Sequence, residues 1–104
     1  MVFNGGTLDA SGTNYLAGTM GMGTGTGTIL MGPSLQFLDS STNVWGSGTV
    51  NLVGTLGPTT MRFGTDRYAL TGDQKSKLFY TGRHVALDDQ GYVVLAAGMM
   101  IIVQ

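Results

Sequence analysis

An all-β fold is predicted for this 104-residue chain, and three observations predict it. Glycine is abundant, 18 residues, more than twice the usual share of about 7%. Charged residues make up 11%, against a usual level of about 25%. All six acids are aspartates, and helix-favouring Lys, Arg and Gln are few, which argues against helices. Thr, Gly, Val, Leu and Ser dominate instead, in short runs separated by turn signals. The expected architecture is a small Gly/Thr-rich β-sandwich or barrel-like domain, with an extended or solenoid-like N-terminal half as its variant form. A chain of this length fits one domain, residues 1–104, with one modest core.

Within that domain the charge is uneven. Residues 1–61 carry only Asp9 and Asp39, whereas Arg62 to Asp89 holds every other charged side chain. The neutral half, 1–61, has β-like apolar segments at Thr28-Ile-Leu-Met, Leu35-Gln-Phe-Leu and Val50-Asn-Leu-Val, with Thr60-Met-Arg-Phe at its boundary. Gly6-Thr-Leu, Gly27-Thr-Ile and Gly48-Thr-Val recur at a spacing of 21 residues, near the length of one β-solenoid coil. Gly-Thr occurs nine times in all, so part of that recurrence is coincidence.

The half 62–104 is more conventional and reads as antiparallel. Lys77-Leu-Phe-Tyr-Thr and Arg83-His-Val-Ala-Leu are strands, and the second forms a hairpin with Tyr92-Val-Val-Leu through a turn at Asp88-Asp-Gln-Gly91. The single helical turn expected lies within Asp73–Leu78. Met99, Met100, Ile101, Ile102 and Val103 form an uninterrupted apolar end, read as a core strand or as a strand added to a neighbouring subunit. Their deletion is expected to destroy folding or assembly.

The stretch from Gly18 to Gly32 contains Gly21, Gly23, Gly25 and Gly27 in strict alternation with Met22, Thr24, Thr26 and Thr28. It fits neither the dinucleotide nor the phosphate-loop glycine pattern, and no helix follows to aim amides at phosphate. The two-residue period is that of a strand, with a flexible linker as the alternative because register is weakly specified in glycine-rich strands. Bare backbone on one face suits the close approach of another backbone, which makes these glycines candidate interface residues.

The remaining chemistry is sparse. His84 is the sole histidine, and no Gly-x-Ser-x-Gly elbow supports a catalytic triad with Asp88 or Asp89. Adjacent aspartates in a predicted turn are explained by turn chemistry, and too few alternating oxygens follow them for a calcium loop. Asp66 and Asp73 are isolated. Cysteine is absent, which removes disulfides, thiolate metal sites and thiol nucleophiles. No catalytic, metal or cofactor-binding residue is assigned, and the chain is read as non-enzymatic. Among Tyr15, Trp45, Tyr68, Tyr80 and Tyr92, Trp45 and Tyr68 are kept as candidate glycan contacts.

Net charge −1 with five basic residues gives no electrostatic footprint for nucleic acid or an anionic membrane. The N-terminal residues lack a secretory pattern and the longest apolar run is too short to span a bilayer, so the chain is read as made and assembled in the cytoplasm. So little charge is unusual for a free surface, and it predicts burial against identical copies or a larger assembly.

In this general character, small, neutral and Gly/Thr-rich, the chain resembles virion structural proteins of tailed bacteriophages, particularly capsid decoration (cement) proteins and segments of tail fibres. The resemblance rests on no diagnostic motif. It implies first a decoration protein, a homo-oligomer with a trimer favoured that stabilises a capsid shell, and as the alternative a tail or extended β-fibre component or an adhesin module contacting host glycans. No residue role is carried over from it.

Overall fold

The computed structural model describes residues 2–95, so Met99 to Val103 lie outside the described residues. The described chain is almost all β. Its strands are β1 (Val2–Phe3), β2 (Gly6–Asp9), β3 (Asn14–Leu16), β4 (Gly21–Met22), β5 (Thr26–Leu30), β6 (Ser34–Phe37), β7 (Thr49–Val53) and β8 (Met61–Phe63). One helical turn, α1 (Gly72–Lys75), follows, then β9 (Leu78–Tyr80), β10 (Arg83–Leu87) and β11 (Val93–Leu95).

From β1 to β9 every pairing between these strands is parallel, and it joins one turn of the chain to the next. β1, β2 and β3 form one coil, and β4, β5 and β6 stack on them in the same order. The third coil adds Trp45, which bridges Met22, and then β7 and β8. Three sheets result, ordered β1-β4, β3-β6-β8 and β11-β10-β9-β7-β5-β2. Parallel neighbours need long crossovers, and the rest of each coil supplies them. Residues 2–63 thus stack as successive parallel coils, in keeping with the all-β expectation. Antiparallel pairing, which a sandwich is built from, appears at β9, β10 and β11.

The register follows from which side chains point inward. In β5 the alternation puts Gly27 and Ile29 inside and Thr26 and Thr28 outside, and in β7 it buries Val50 and Leu52. Leu8, Ile29, Leu52 and Tyr80 therefore form one internal ladder across four strands. Tyr15, Leu35 and Met61 form a second, beside Phe37 on Phe63, whose rings stack with centroids 4.9 Å apart, close to the strand spacing of about 4.8 Å. Phe3, Met22 and Trp45 form a third. These ladders meet in one apolar core.

The steps between coils are unequal. Gly6 lies opposite Gly27, a step of 21 residues, but Gly27 lies opposite Val50, a step of 23. Gly48-Thr-Val is therefore out of phase with the other two Gly-Thr triplets, and Thr49 pairs with Thr26. Val50 to Leu78 is longer still, because the intervening chain carries α1.

α1 is short and strongly capped. Thr71 Oγ1 accepts from Gln74 N at 3.1 Å, and Gln74 Oε1 accepts from Thr71 N at 2.8 Å, a reciprocal capping box. The hairpin expected from the sequence is present, with Leu87 opposite Val93 and Asp88 N donating to Tyr92 O at 2.9 Å.

Candidate assembly surface

The glycine alternation does not form one strand. Gly21 is in β4, Gly27 is in β5, and Gly23 and Gly25 make the corner between them. The backbone that approaches these glycines is the chain's own. A Cβ on Gly25 would lie 2.8 Å from Gly5 N, and one on Gly27 would lie 3.1 Å from the Phe3 ring. On the other side, a Cβ on Gly48 would lie 2.4 Å from Gly25 O, and one on Gly46 would lie 2.7 Å from Gly23 O. Three corners thus stack backbone on backbone, a spacing that side chains would block. Within the chain these glycines hold coil to coil.

Of the aromatic candidates, Trp45 is half-buried, packs against the core and donates its indole N–H to Met20 O at 2.9 Å. Tyr68 is exposed in the segment after β8, with the Arg67 guanidinium 5.6 Å from its ring centre. The two belong to different parts of the fold, one facing inward and one outward. His84 is exposed, and its ring packs against Phe79 at 4.7 Å.

Four of the six aspartates share the turn chemistry that the sequence announced only at Asp88-Asp89. Asp9 accepts from Ser11 N and Oγ, and Asp39 from Ser41 N and Oγ. Asp66 accepts from Tyr68 N, and Asp88 from Gln90 N. Each is a turn closed by a carboxylate on the N–H two residues ahead, a reach that suits Asp. The signal was present in the repeated Asp-x-Ser of Asp9-Ala-Ser11 and Asp39-Ser-Ser41, and in the absence of Glu. The same bonds hold the Asp9 and Asp39 carboxyls below the ordinary aspartate value: the side-chain hydroxyl bond is the larger cause, the backbone N–H bond the second, and burial opposes them weakly. Asp89 pairs with Arg67 at 3.5 Å, and Asp73 with Lys77 at 3.6 Å. Among the described residues no group of three or more His or Asp side chains stands where it could hold a metal ion.

A second feature that the sequence did not announce is a buried polar junction. Ser40 and Gln74 are the buried polar side chains of the described residues. Ser40 Oγ accepts from Met20 N at 2.8 Å and donates to Leu38 O at 3.0 Å. Gln74 Nε2 donates to Ser40 O at 3.0 Å and to Asn43 O at 3.1 Å. The junction pins α1 to the corner that leads into Trp45.

The depressions on the surface are shallow. One, of about 360 Å³, lies between Asn51, Val53, Gly54, Tyr80 and Thr81, and there the Tyr80 hydroxyl donates to Gly54 O at 2.9 Å. Another, of about 270 Å³, is lined by Leu16, Leu38 and Arg62, whose guanidinium lies 4.7 Å from the Tyr92 ring centre and whose Nε donates to Gln90 O. The Tyr80 hydroxyl in the first and the Arg62 guanidinium in the second are engaged in holding the fold.

Comparison of the chain with protein families, with curated proteins and with solved structures gives no match in any of the three. The surface must therefore be read from its own geometry.

The first coil ends the stack. Among the described residues β1, β2 and β3 are each the last strand of their sheet, so three edges open on one end together. Val2 and Leu16, both large and apolar, stand on that coil at 71% and 79% exposure. Edge strands usually carry Lys, Pro or a covering segment that deters further pairing, and Val2 to Leu16 contains neither residue.

Proposed function

We propose that the chain is a non-enzymatic structural module of a virion, of the extended β-fibre kind rather than the decoration kind. One observation carries the choice: three sheets share a succession of coils paired in parallel, and among the described residues all three leave an edge open at the first coil. Such a stack presents its strand edges end-on, where a further strand can pair. The low charge of the first 61 residues, with Asp9 and Asp39 both committed to turns, fits a surface that is covered in an assembly.

The reading is tested by reconstructing, by electron cryomicroscopy, particles that carry this protein and locating it with a residue-specific label on Tyr68, which is exposed. Density for the coil stack in the tail or its fibres is the expected result. Density between capsomers returns the protein to the decoration class. Its absence from purified particles overturns both.

A further inference from the structure

The two ends of the coil stack differ, and the difference limits how copies can meet. At the end formed by the third coil, β7 is covered by β9, which continues into β10. β8 is covered where Arg62 bridges Tyr92 and Phe63 N donates to Gly91 O at 2.8 Å. The corner before Trp45 is closed by Gln74 of α1. At the first-coil end no described residue covers the outer edges of β1, β2 and β3. A second copy therefore cannot stack its first coil on this chain's last one without displacing the closing segment. First coil against first coil is free of that obstacle.

We propose that two copies of this chain join through their first coils, with the outer edge of β2 pairing antiparallel with β2 of the second copy about a twofold axis. Two copies of one edge strand related by such an axis are antiparallel, and the contact is self-complementary. The groups it needs are present. Ala10 N donates inward to Leu30 O at 2.8 Å, so the alternation of the strand turns the N–H groups of Thr7 and Asp9 outward, to the open edge. A twofold contact also sets like charges near each other, and the only charged residue from Val2 to Leu16 is Asp9, whose carboxylate is turned to Ser11. The axis normal to the large sheet exchanges the flanking sheets, so β1 of one copy faces β3 of the other. Val2 and Leu16, the two exposed apolar side chains of this end, then meet at the same junction. Such an interface closes with two copies, where the sequence favoured three. It is a property of the purified chain and does not depend on the assembly in which the chain serves.

Sedimentation of the full chain over a range of concentrations, with circular dichroism as the folding control, tests the proposal. The wild type should be a dimer. Thr7→Pro removes an outward N–H while sparing the bonds to β5, and should raise the dimer dissociation constant about tenfold or more at an unchanged fold. Leu16→Lys should weaken the dimer as well, and adding Val2→Asp to it should restore association by setting opposite charges at both junctions. A wild-type monomer, a trimer or larger species, or a dimer indifferent to Thr7→Pro would overturn the proposal. So would a failure of the Val2→Asp, Leu16→Lys double variant to recover.

Discussion

Residues 2–63 and residues 64–95 occupy one core but are held in register by different means. In the coil stack, backbone meets backbone at the corners, and repeated inward positions align Leu8 with Ile29 and Leu52. In the closing segment, side chains do the aligning: Gln74 on Ser40 O and Asn43 O, Asp88 on Gln90 N and Tyr92 N, and Arg62 on Gln90 O. The charge asymmetry of the sequence is the outward sign of this. Parallel coils of glycine, threonine and apolar residues need few charges to specify their pairing, whereas a capping segment made of tight turns and one helical turn uses polar side chains to close them. The first region should therefore be intolerant of added bulk at its corners, and the second of lost polar partners.

Adding a single methyl group should give the largest effect. A Cβ on Gly48 would sit 2.4 Å from Gly25 O and 2.8 Å from Gly23 O, both backbone atoms with nowhere to move. Gly48→Ala is expected to lower stability by about 3 kcal/mol in urea denaturation. Gly18→Ala, whose added Cβ would meet nothing within 4 Å, should stay within about 0.5 kcal/mol of wild type. Equal effects at the two positions would remove the claim that corner contact, rather than glycine content, sets the register. By the same reasoning Gly25→Val, whose Cβ would lie 2.8 Å from Gly5 N, is a folding variant rather than a probe of contact between copies.

How far the sequence carried the fold can be judged at these positions. Short apolar runs located β5, β6, β7 and β8, the hairpin of β10 and β11 was placed with its turn, and the single helical turn fell within one residue of Asp73. The direction of pairing was harder to read. Gly-Thr identity suggested a constant 21-residue step, yet register is set by inward side chains, and these step from Ile29 to Leu52, not to Val50. Three further residues enter between β6 and β7 while one is lost between β5 and β6, and the Gly-Thr pattern does not feel this net gain of two. Likewise Trp45 was legible as an aromatic but not as a side chain with its N–H already bound, because Met20 lies 25 positions away in sequence. Side-chain roles that cross coils are hidden until the coil lengths are known.

In the closing segment the expected loss is smaller and of another kind. Gln74→Leu keeps the volume but leaves Ser40 O and Asn43 O without their donor in a buried place, and it removes half of the capping box at Thr71. A loss of about 2 to 3 kcal/mol is expected, since abandoned buried acceptors cost roughly 1 to 3 kcal/mol each and part of that is recovered by relaxation. Hydrogen exchange should show α1 opening before the coils. If the coils opened first, the two regions would not be separable in this way.

A gain is expected at the turn between β9 and β10. Thr81 has φ 52° and is followed by Gly82 at φ 80°, so both central positions of this two-residue hairpin are left-handed. A β-branched residue is strained there, and Thr81→Asn supplies the Asn-Gly pair that such turns favour. Its thermal midpoint should rise, with a gain of about 1 kcal/mol. Because the turn belongs to the closing segment, the added stability should appear in protection of β10 and leave exchange in β2 and β5 unchanged.

The smallest effect comes from acid, and it sharpens the contrast by acting on the coils. Asp9 and Asp39 close corners of the stack, and their serine partners hold both carboxyls below the ordinary value of 3.8 in the folded chain. The unfolded chain therefore binds protons first as pH falls. The stabilisation is full above the unfolded value and is lost as pH drops from there through the lower folded values. Thermal midpoints measured from pH 5 downward should fall less steeply in a variant carrying Ser11→Ala and Ser41→Ala, because its aspartates titrate closer to their unfolded values. An identical acid profile in that variant would show that the two serine-closed turns contribute nothing to the pH dependence. Both carboxylates are exposed, and screening keeps the effect well below that of Gly48 or Gln74.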